Sequence, residues 1–438
     1  MASRRLIMAG AALAALSLTA LTACTSSSGG ASASPTATSS SPVTVDFWGA
    51  AIGYDKSVAL FNQTHKDIQI NYTQISAGSA GGYAKMLNAV KAGNAPCLGQ
   101  VGYDTLSSFA AANALTDISK YATPSKGLFA PAAWQLSSIG QQVLGIPQDL
   151  GPMALYYRTD LFEQYGITPP KTWAEFAADA QTVHAKNPGA FLTTLPVDSY
   201  DLGALSWQAG AQWFGTAGNK WQVKIDSAPT QKVASYWQDL VSKQQVVSEP
   251  TFDTAWYKDF QDGRVLSLVG AVWASPLIEQ NAPGLSGKLG VVQLPQWTAG
   301  KSVSGNRGGS AFAVLKGCKY PKQATEAAVW MSSSASSVTN LITNTGIYPA
   351  ATAGQKLPAL SKKSAFYGGQ NIYDVFKKAA ANTPSKWVWG PTMAVLQPEF
   401  KDGLKQVGAG QGTIPSLVTQ EQKNTVEAMK SQGLSVSG

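Results

Sequence analysis

The sequence predicts an α/β protein of two domains, and three observations carry that prediction. Strand patterns of period two alternate with helical patterns from residue 43 well into the second half of the chain. Such alternation belongs to layered α/β folds with mostly parallel sheets. The body from residue 43 to residue 438 is also longer than one hydrophobic core usually grows, so it is expected to divide in two. That body has no apolar stretch of membrane-spanning length, so none of it is expected to cross a bilayer.

Taken in order, Val43-Thr44-Val45-Asp46-Phe47-Trp48 alternates, is rich in β-formers and stops at Gly49, which reads as a first strand. A helix is expected from about residue 57 to 64, and Ile68, Ile70 and Tyr72 then alternate with polar residues as a second strand. A Gly/Ser loop over residues 76–82 leads to a helix over 83–91 and a short buried strand over 98–102. A helix over 106–114 follows, then a strand that Pro147 closes and a β-rich run over 153–157. Thr172 caps a helix over 173–185, with Glu175 at the capping-box position. The apolar run over 265–273 suits a strand buried on both faces. Residues 311–315 repeat that pattern before a helix over 321–333. The last third reads as helices over 374–381, 393–407 and 420–432, each with apolar residues three and four apart.

The N-terminal residues read as a secretory signal: Arg4 and Arg5 supply positive charge, residues 6–21 are apolar, and small residues follow. Leu21-Thr22-Ala23-Cys24 resembles a lipobox, so Cys24 is expected to become a lipidated N-terminus after removal of residues 1–23. Ser3-Arg4-Arg5-Leu6-Ile7 partly resembles a twin-arginine signal, which leaves the export route open. Residues 25–42 contain only Ser, Thr, Gly, Ala, Pro and no charge, a composition that cannot offset its ordering entropy; residues 24–42 are expected to be a lipidated flexible tether. Such an anchor would hold the protein to the extracellular face of the cell membrane through lipid only. The formal charge of +8 falls by two to +6 when Arg4 and Arg5 leave, and no Lys/Arg cluster marks a nucleic-acid surface. With Cys24 assigned to lipid, Cys97 and Cys318 remain in an oxidising compartment, where a disulfide is favoured and two buried thiols are the alternative.

Several blocks then carry a resemblance. Gly145-Ile146-Pro147-Gln148-Asp149, Leu155-Tyr156-Tyr157-Arg158, Leu161-Phe162, Gly166-Ile167 and Pro170-Lys171-Thr172-Trp173-Ala174-Glu175 resemble the signature of extracellular solute-binding proteins of ABC importers. The likeness is to the carbohydrate-binding branch that includes maltose-binding protein. Phe260-Gln261-Asp262-Gly263-Arg264 and Gly308-Gly309-Ser310 continue it in the family's order. Arg158, where the family usually has Asn, and Cys97, where an acidic residue commonly follows the proline, depart from it. The resemblance implies a two-lobed periplasmic-binding-protein fold with three inter-lobe crossings and a ligand cleft. Carried over, lobe one is residues 43–150 plus 309–346 and lobe two is 151–308 plus 347–438; Cys97 and Cys318 then fall in the same lobe. It also implies ABC permease subunits as partners, a small carbohydrate as ligand, and no cofactor. A monomer is expected.

A sugar offers a face of C–H groups, which an aromatic ring covers, and a rim of hydroxyls, which needs donors and acceptors. The chain carries 13 Trp and 15 Tyr, and those in loops after strands are the candidates. From the first lobe these are Trp48, Tyr103 and Asp104, with Asp149 at the first crossing. From the second they are Trp207, Trp213, Trp273, Trp387 and Trp389, with Arg307 and Gly309 at the second crossing. Each Trp could instead pack in a core, and the charged residues could be ion pairs at the lobe surfaces. Trp173, Trp221, Trp237 and Trp330 fall within helices or strands and read as structural.

The competing function is a lipid-anchored envelope carbohydrate hydrolase, which would need two carboxyls facing a scissile bond. Asp198, Asp201 and Glu279 are available, but no spacing singles out a pair. Only His65 and His184 could serve a metal or a Ser/His/Asp arrangement, so no metal site is expected. A purely structural envelope protein would not need six loop-placed tryptophans.

Overall fold

The computed structural model describes residues 41–437 except 79, 80, 197 and 219. The expected signal peptide, Cys24 and most of the expected tether lie outside the described residues. Residues 42–438 form one compact unit. Among the described residues no helix is long and apolar enough to cross a membrane.

Two sheets organise the unit as two lobes. The first has the spatial order Ile68–Gln74, Val43–Gly49, Leu98–Gly102, Ser310–Val314, Gly145–Pro147. Its first three strands are parallel and are linked by the helices Tyr54–Thr64 and Gly82–Lys91, as the alternating patterns require. The second sheet places Met153–Arg158 between Ser267–Ala271 and Leu289–Gln293, and it is wholly antiparallel. The expectation of mostly parallel sheets therefore fails. Ser310–Val314 returns from the other lobe and runs antiparallel to both of its neighbours. A strand that enters from a distant lobe need not follow the right-handed crossover that keeps local βαβ neighbours parallel.

Local signals mark several boundaries accurately. Thr172 Oγ1 accepts from the Glu175 amide at 3.1 Å and opens the helix Trp173–Lys186, while the Glu175 carboxylate accepts from the Lys171 amide at 2.6 Å. The apolar run over 265–273 yields a shorter strand, Ser267–Ala271; Trp273 already caps the next helix, Ala274–Asn281. Arg158 is buried and clamps a helix end: Nη1 donates to the carbonyls of Phe260 and Gln261, at 2.8 and 2.9 Å, and Nη2 pairs with Asp160 at 2.7 Å. The departure from the family's Asn therefore closes the C-terminus of Thr254–Asp262, where positive charge is favoured.

Three segments pass between the lobes side by side. Asp149–Leu150 pairs antiparallel with Tyr348–Pro349, and Pro152 bridges to Asn306. The Asn306 side chain accepts from the Gly151 amide and donates to the Gly308 carbonyl, both at 2.8 Å, so it laces two crossings together. An added Cβ on Gly151 would meet the Arg307 carbonyl oxygen at 2.0 Å, which explains the glycine. The third segment stays with the first lobe beyond the expected boundary at 346: Ala350 accepts from the Ala130 amide and Ala351 bridges to Phe129. The helix Tyr373–Ala381 then packs on the second sheet.

Cys97 and Cys318 are joined in a disulfide across 221 residues of sequence. It ties the start of Leu98–Gly102 to the end of Ser310–Val314, two strands already paired at Leu98 and Val314.

Candidate functional site

The strand ends position the site. In the first sheet, Val43–Gly49, Leu98–Gly102 and Gly145–Pro147 finish on the edge where the antiparallel Ser310–Val314 begins, since Gly102 pairs with Ser310 and Pro147 with Ala311. The chain leaves that edge after Pro147 and enters the second sheet at Met153, which pairs with Ala271 at the end of its neighbour. Both ligand-side edges therefore face the crossings, as open α/β sheets arrange.

Arg307 is the centre of the charged groups there. Its Nη2 donates to Asp198 at 2.8 Å and its Nε donates to Asp201, while its guanidinium lies 4.9 Å from the Trp273 ring centre. Trp273 Nε1 donates to the Arg307 carbonyl at 2.9 Å, so side chain and backbone of Arg307 are both held by the second lobe. Asp198 caps the helix Ser199–Gln208 by accepting from the Asp201 amide at 2.8 Å. The cap thereby sets the two carboxyls side by side. Across the cleft, Asp149 Oδ1 accepts from the Ser310 amide at 2.9 Å and its hydroxyl at 2.8 Å. Gly309, at φ +84°, has the Asp149 carbonyl and the Tyr103 ring each 2.9 Å from where a Cβ would stand. Only glycine fits that crossing without displacing them.

The lobes meet on the far side of this cluster. The helix Tyr103–Ala111 of the first lobe packs against Met393–Gly408 of the second, and Ser107 Oγ donates to the Trp389 carbonyl at 2.8 Å. Tyr200 stands edge-on to Trp389, with ring centres 5.9 Å apart.

Burial pushes the Asp149 carboxyl up to about 7 against the lowering effect of Ser310. It pushes Asp104 up to about 6, opposed by Thr105 and the Arg307 charge. Asp201 is also raised by burial and by the neighbouring Asp198 charge, with Arg307 acting the other way. Carboxyls held above their unfolded value near 4 bind more protons in the folded state, so stability falls as pH rises between about 4 and 7. Melting is expected at a higher temperature at pH 5 than at pH 8, with the difference reduced in Asp149→Asn. Calorimetry at both pH values checks this; an equal or larger difference in the variant would contradict it.

The residues proposed from sequence divide into three groups. Tyr103, Asp104, Asp149, Trp273, Arg307 and Gly309 gather around the crossings, as described above. Trp48 sits at the end of its strand, half-buried, with Lys85 Nζ 4.6 Å from its ring centre. Trp207, Trp213, Trp387 and Trp389 form a buried aromatic cluster in the second lobe. Trp207 stacks on Trp387 at 5.0 Å and donates from Nε1 to the Pro384 carbonyl, and Trp213 stacks on Phe400 at 5.9 Å and donates to Thr230. Trp213 is fully buried, so in this arrangement it serves the core rather than the cleft. Of the four, Trp389 comes nearest the cleft, through Tyr200 and Ser107.

Phe252 and Tyr200 were missed by sequence reasoning. Phe252 adopts φ +66°, which a non-glycine residue seldom does, and its ring lies 5.3 Å from that of Trp273. A narrow cavity beside them is lined by Thr194, Thr251, Phe252, Trp273, Asp201 and Arg307. No sequence signal foretells the φ of Phe252, whereas the Asp198-to-Asp201 capping spacing could have placed Tyr200 at a helix start. Among the described residues no group of three His, Cys, Asp or Glu is placed to hold a metal ion. Asp198 and Asp201, the carboxyls open to a hydrolase reading, both face Arg307 rather than an open bond-cleaving position.

A site at the crossings between two such lobes suits capture of a small solute. The profile of the family described as bacterial extracellular solute-binding protein matches residues 44–337. The chain belongs to this family. Among solved solute-binding proteins it is similar to the galacto-N-biose/lacto-N-biose I-binding protein of an ABC transporter from Bifidobacterium longum, in complex with lacto-N-biose. That likeness has 28% identity and a TM-score of 0.82, over 91% of this chain and 100% of the other. An ABC transporter associated binding protein from B. animalis subsp. lactis Bl-04, in complex with β-1,6-galactobiose, shares the fold at 23% identity and a TM-score of 0.81, over 91% of this chain and 100% of the other. In sequence, this solute-binding protein is 23% identical to the arabinooligosaccharide-binding protein of Halalkalibacterium halodurans, over 69% of each chain. It is 25% identical to the lactose-binding protein of Rhizobium radiobacter, over 59% of this chain and 61% of that one.

Proposed function

We propose that this protein captures a sugar or short oligosaccharide between its lobes and delivers it to the permease of an ABC importer, as a monomer tethered to the membrane by a lipid on Cys24. The observation that carries the reading is the convergence, at the three crossings, of Trp273, Arg307 and Asp201 from one lobe with Tyr103, Asp104 and Asp149 from the other. Aromatic faces and hydrogen-bonding groups in one cleft are what a sugar's C–H face and hydroxyls require. The printed ligands of the related proteins are saccharides, which supports the same class. Ligand contacting both lobes would favour the closed form by its differential affinity for that form. We assign residues 43–150 and 309–346 to lobe one and residues 151–308 with the C-terminal helices to lobe two, the segment after 346 lying along lobe one before it crosses.

Calorimetry of the mature protein with lactose, lacto-N-biose, β-1,6-galactobiose and arabinotriose tests the reading. At least one is expected to bind, and Trp273→Ala is expected to weaken it about thirtyfold, the loss of roughly 2 kcal/mol for a stacking anchor. Unchanged affinity with unchanged melting would remove Trp273 from the site; sugar cleavage in the same samples would favour the hydrolase. The anchor has its own test: Cys24→Ser is expected to move the protein from the membrane fraction to the medium.

A further inference from the structure

The chain as a whole is basic, with a formal charge of +8, but the cleft has the opposite balance. Four carboxyl groups, Asp104, Asp149, Asp198 and Asp201, surround the crossings, and Arg307 pairs with Asp198 and Asp201 and acts by its charge on Asp104. Arg307 is already committed: Nη2 to Asp198 at 2.8 Å, Nε to Asp201, and its face to Trp273 at 4.9 Å. Asp104 feels the charges of both Arg307 and Asp198, and Asp149 is held by hydrogen bonds from Ser310 alone. Lys85, on the helix Gly82–Lys91, is seated on Trp48 at the end of the first strand. The acidic groups are not arranged to await a metal, since among the described residues no three ligating side chains converge. Beside Asp149, two buried groups without a partner are neutral: the Tyr103 hydroxyl, close enough to Asp149 to feel its charge, and Nε2 of Gln148, the residue before Asp149. Such groups match hydroxyls.

We propose that the cleft selects uncharged glycans and rejects sugars that carry a carboxylate, despite the cationic surface of the protein; this rests on the sugar-binding reading above. A ligand carboxylate would find no unpaired guanidinium and would stand among carboxyls in a site largely closed to water. At separations of several ångströms and an effective dielectric near that of protein sites, the repulsion amounts to about a hundredfold in affinity. The surface lysines do not offset it, because exposed charges farther than about 8 Å are screened at physiological salt. Burial raises Asp104 to about 6 and Asp149 to about 7, so at pH 7.5 both are mostly ionised and repel a ligand carboxylate.

The test uses the mature protein at pH 7.5 and calorimetry. Each of lactose, lacto-N-biose, β-1,6-galactobiose and arabinotriose is paired with its derivative oxidised at the terminal primary hydroxyl to the uronate, and with the corresponding uronamide. For any sugar that binds, the uronate is expected to bind at least about thirtyfold more weakly and the uronamide within about tenfold of the parent. Asp104→Asn is expected to narrow the gap between uronate and parent. A uronate bound within threefold of its parent overturns the inference and leaves the sugar reading standing. A uronamide as weak as the uronate also overturns it, because the rejection would then be steric. Binding by none of the neutral sugars overturns the sugar reading and this inference with it.

Discussion

Arg307→Met is expected to destabilise the protein by about 3–5 kcal/mol and to abolish ligand binding, because it removes one partner of a buried ionic cluster. The replacement keeps most of the side-chain volume, so the loss is electrostatic rather than a cavity. Asp198 and Asp201 would be left with side chains 16% and 17% exposed and no cation between them. The cost should be smaller at low pH. Asp201 is already raised by burial and by Asp198, and without Arg307 it would take up a proton still more readily. Urea denaturation at pH 5 and pH 8 reads this directly. Adding Asp201→Asn to the variant is expected to restore part of the stability, since it removes one uncompensated charge. A loss below about 1 kcal/mol at pH 8 would mean that the cluster behaves like a solvated surface pair. The same substitution frees the face of Trp273, so restored stability without restored affinity would separate the structural role of Arg307 from its role at the ligand.

The second large effect is expected from the disulfide. Replacing Cys97 and Cys318 by Ser should cost about 5 kcal/mol, the chain-entropy value for a loop of this length. The bond spans 221 residues, and the segment inside that loop includes the whole second sheet. Without the bond, pairing of Leu98–Gly102 with Ser310–Val314 must close the loop unaided. Because both cysteines lie in the first lobe, away from the crossings, affinity for any ligand that binds should change little once the variant is folded. Denaturation with and without a reductant, followed by calorimetry at a temperature where the variant is native, checks both halves. A stability change under about 1 kcal/mol would show that the unfolded chain is compact enough for the link to constrain little.

Short-range signals were legible to within a few residues. The strand over 98–102 and the helix over 321–333 match the structure at both ends, and Thr172 caps its helix as its spacing with Glu175 implied. Each depends on a few adjacent residues, which act wherever that stretch is placed. Parallel strands at the start were legible for the same reason, as a βαβ unit is local. The antiparallel return of Ser310–Val314 was not, because it follows from where a chain comes back after some 150 residues in the other lobe.

The candidate site was legible by position and much less by role. Trp48, Tyr103, Asp149 and Trp273 follow strands, a feature of sequence order, and the structure puts all four at strand ends or crossings. Trp207, Trp213 and Trp387 share the residue type but are buried, Trp207 on the helix Ser199–Gln208 and the other two outside any helix, and partners such as Pro384 for Trp207 and Phe400 for Trp213 are far away in sequence. Composition could count these rings without sorting them. Asp198 and Asp201 were visible only as two of the available carboxyls that no spacing singled out, and only folding could show that they share Arg307 across about a hundred residues.

By itself, the sequence determined the alternating α/β character, the helix caps and the order of motifs that marks the family. These are local properties, fixed by hydrophobic period and by capping side chains. Tertiary structure decided which aromatic rings became core, which carboxyls met a guanidinium and how far the third segment follows the first lobe. Those outcomes depend on water being removed from groups distant in the chain. Burial raises Asp149 and orders the Arg307 cluster only once both lobes and all three crossings are in place.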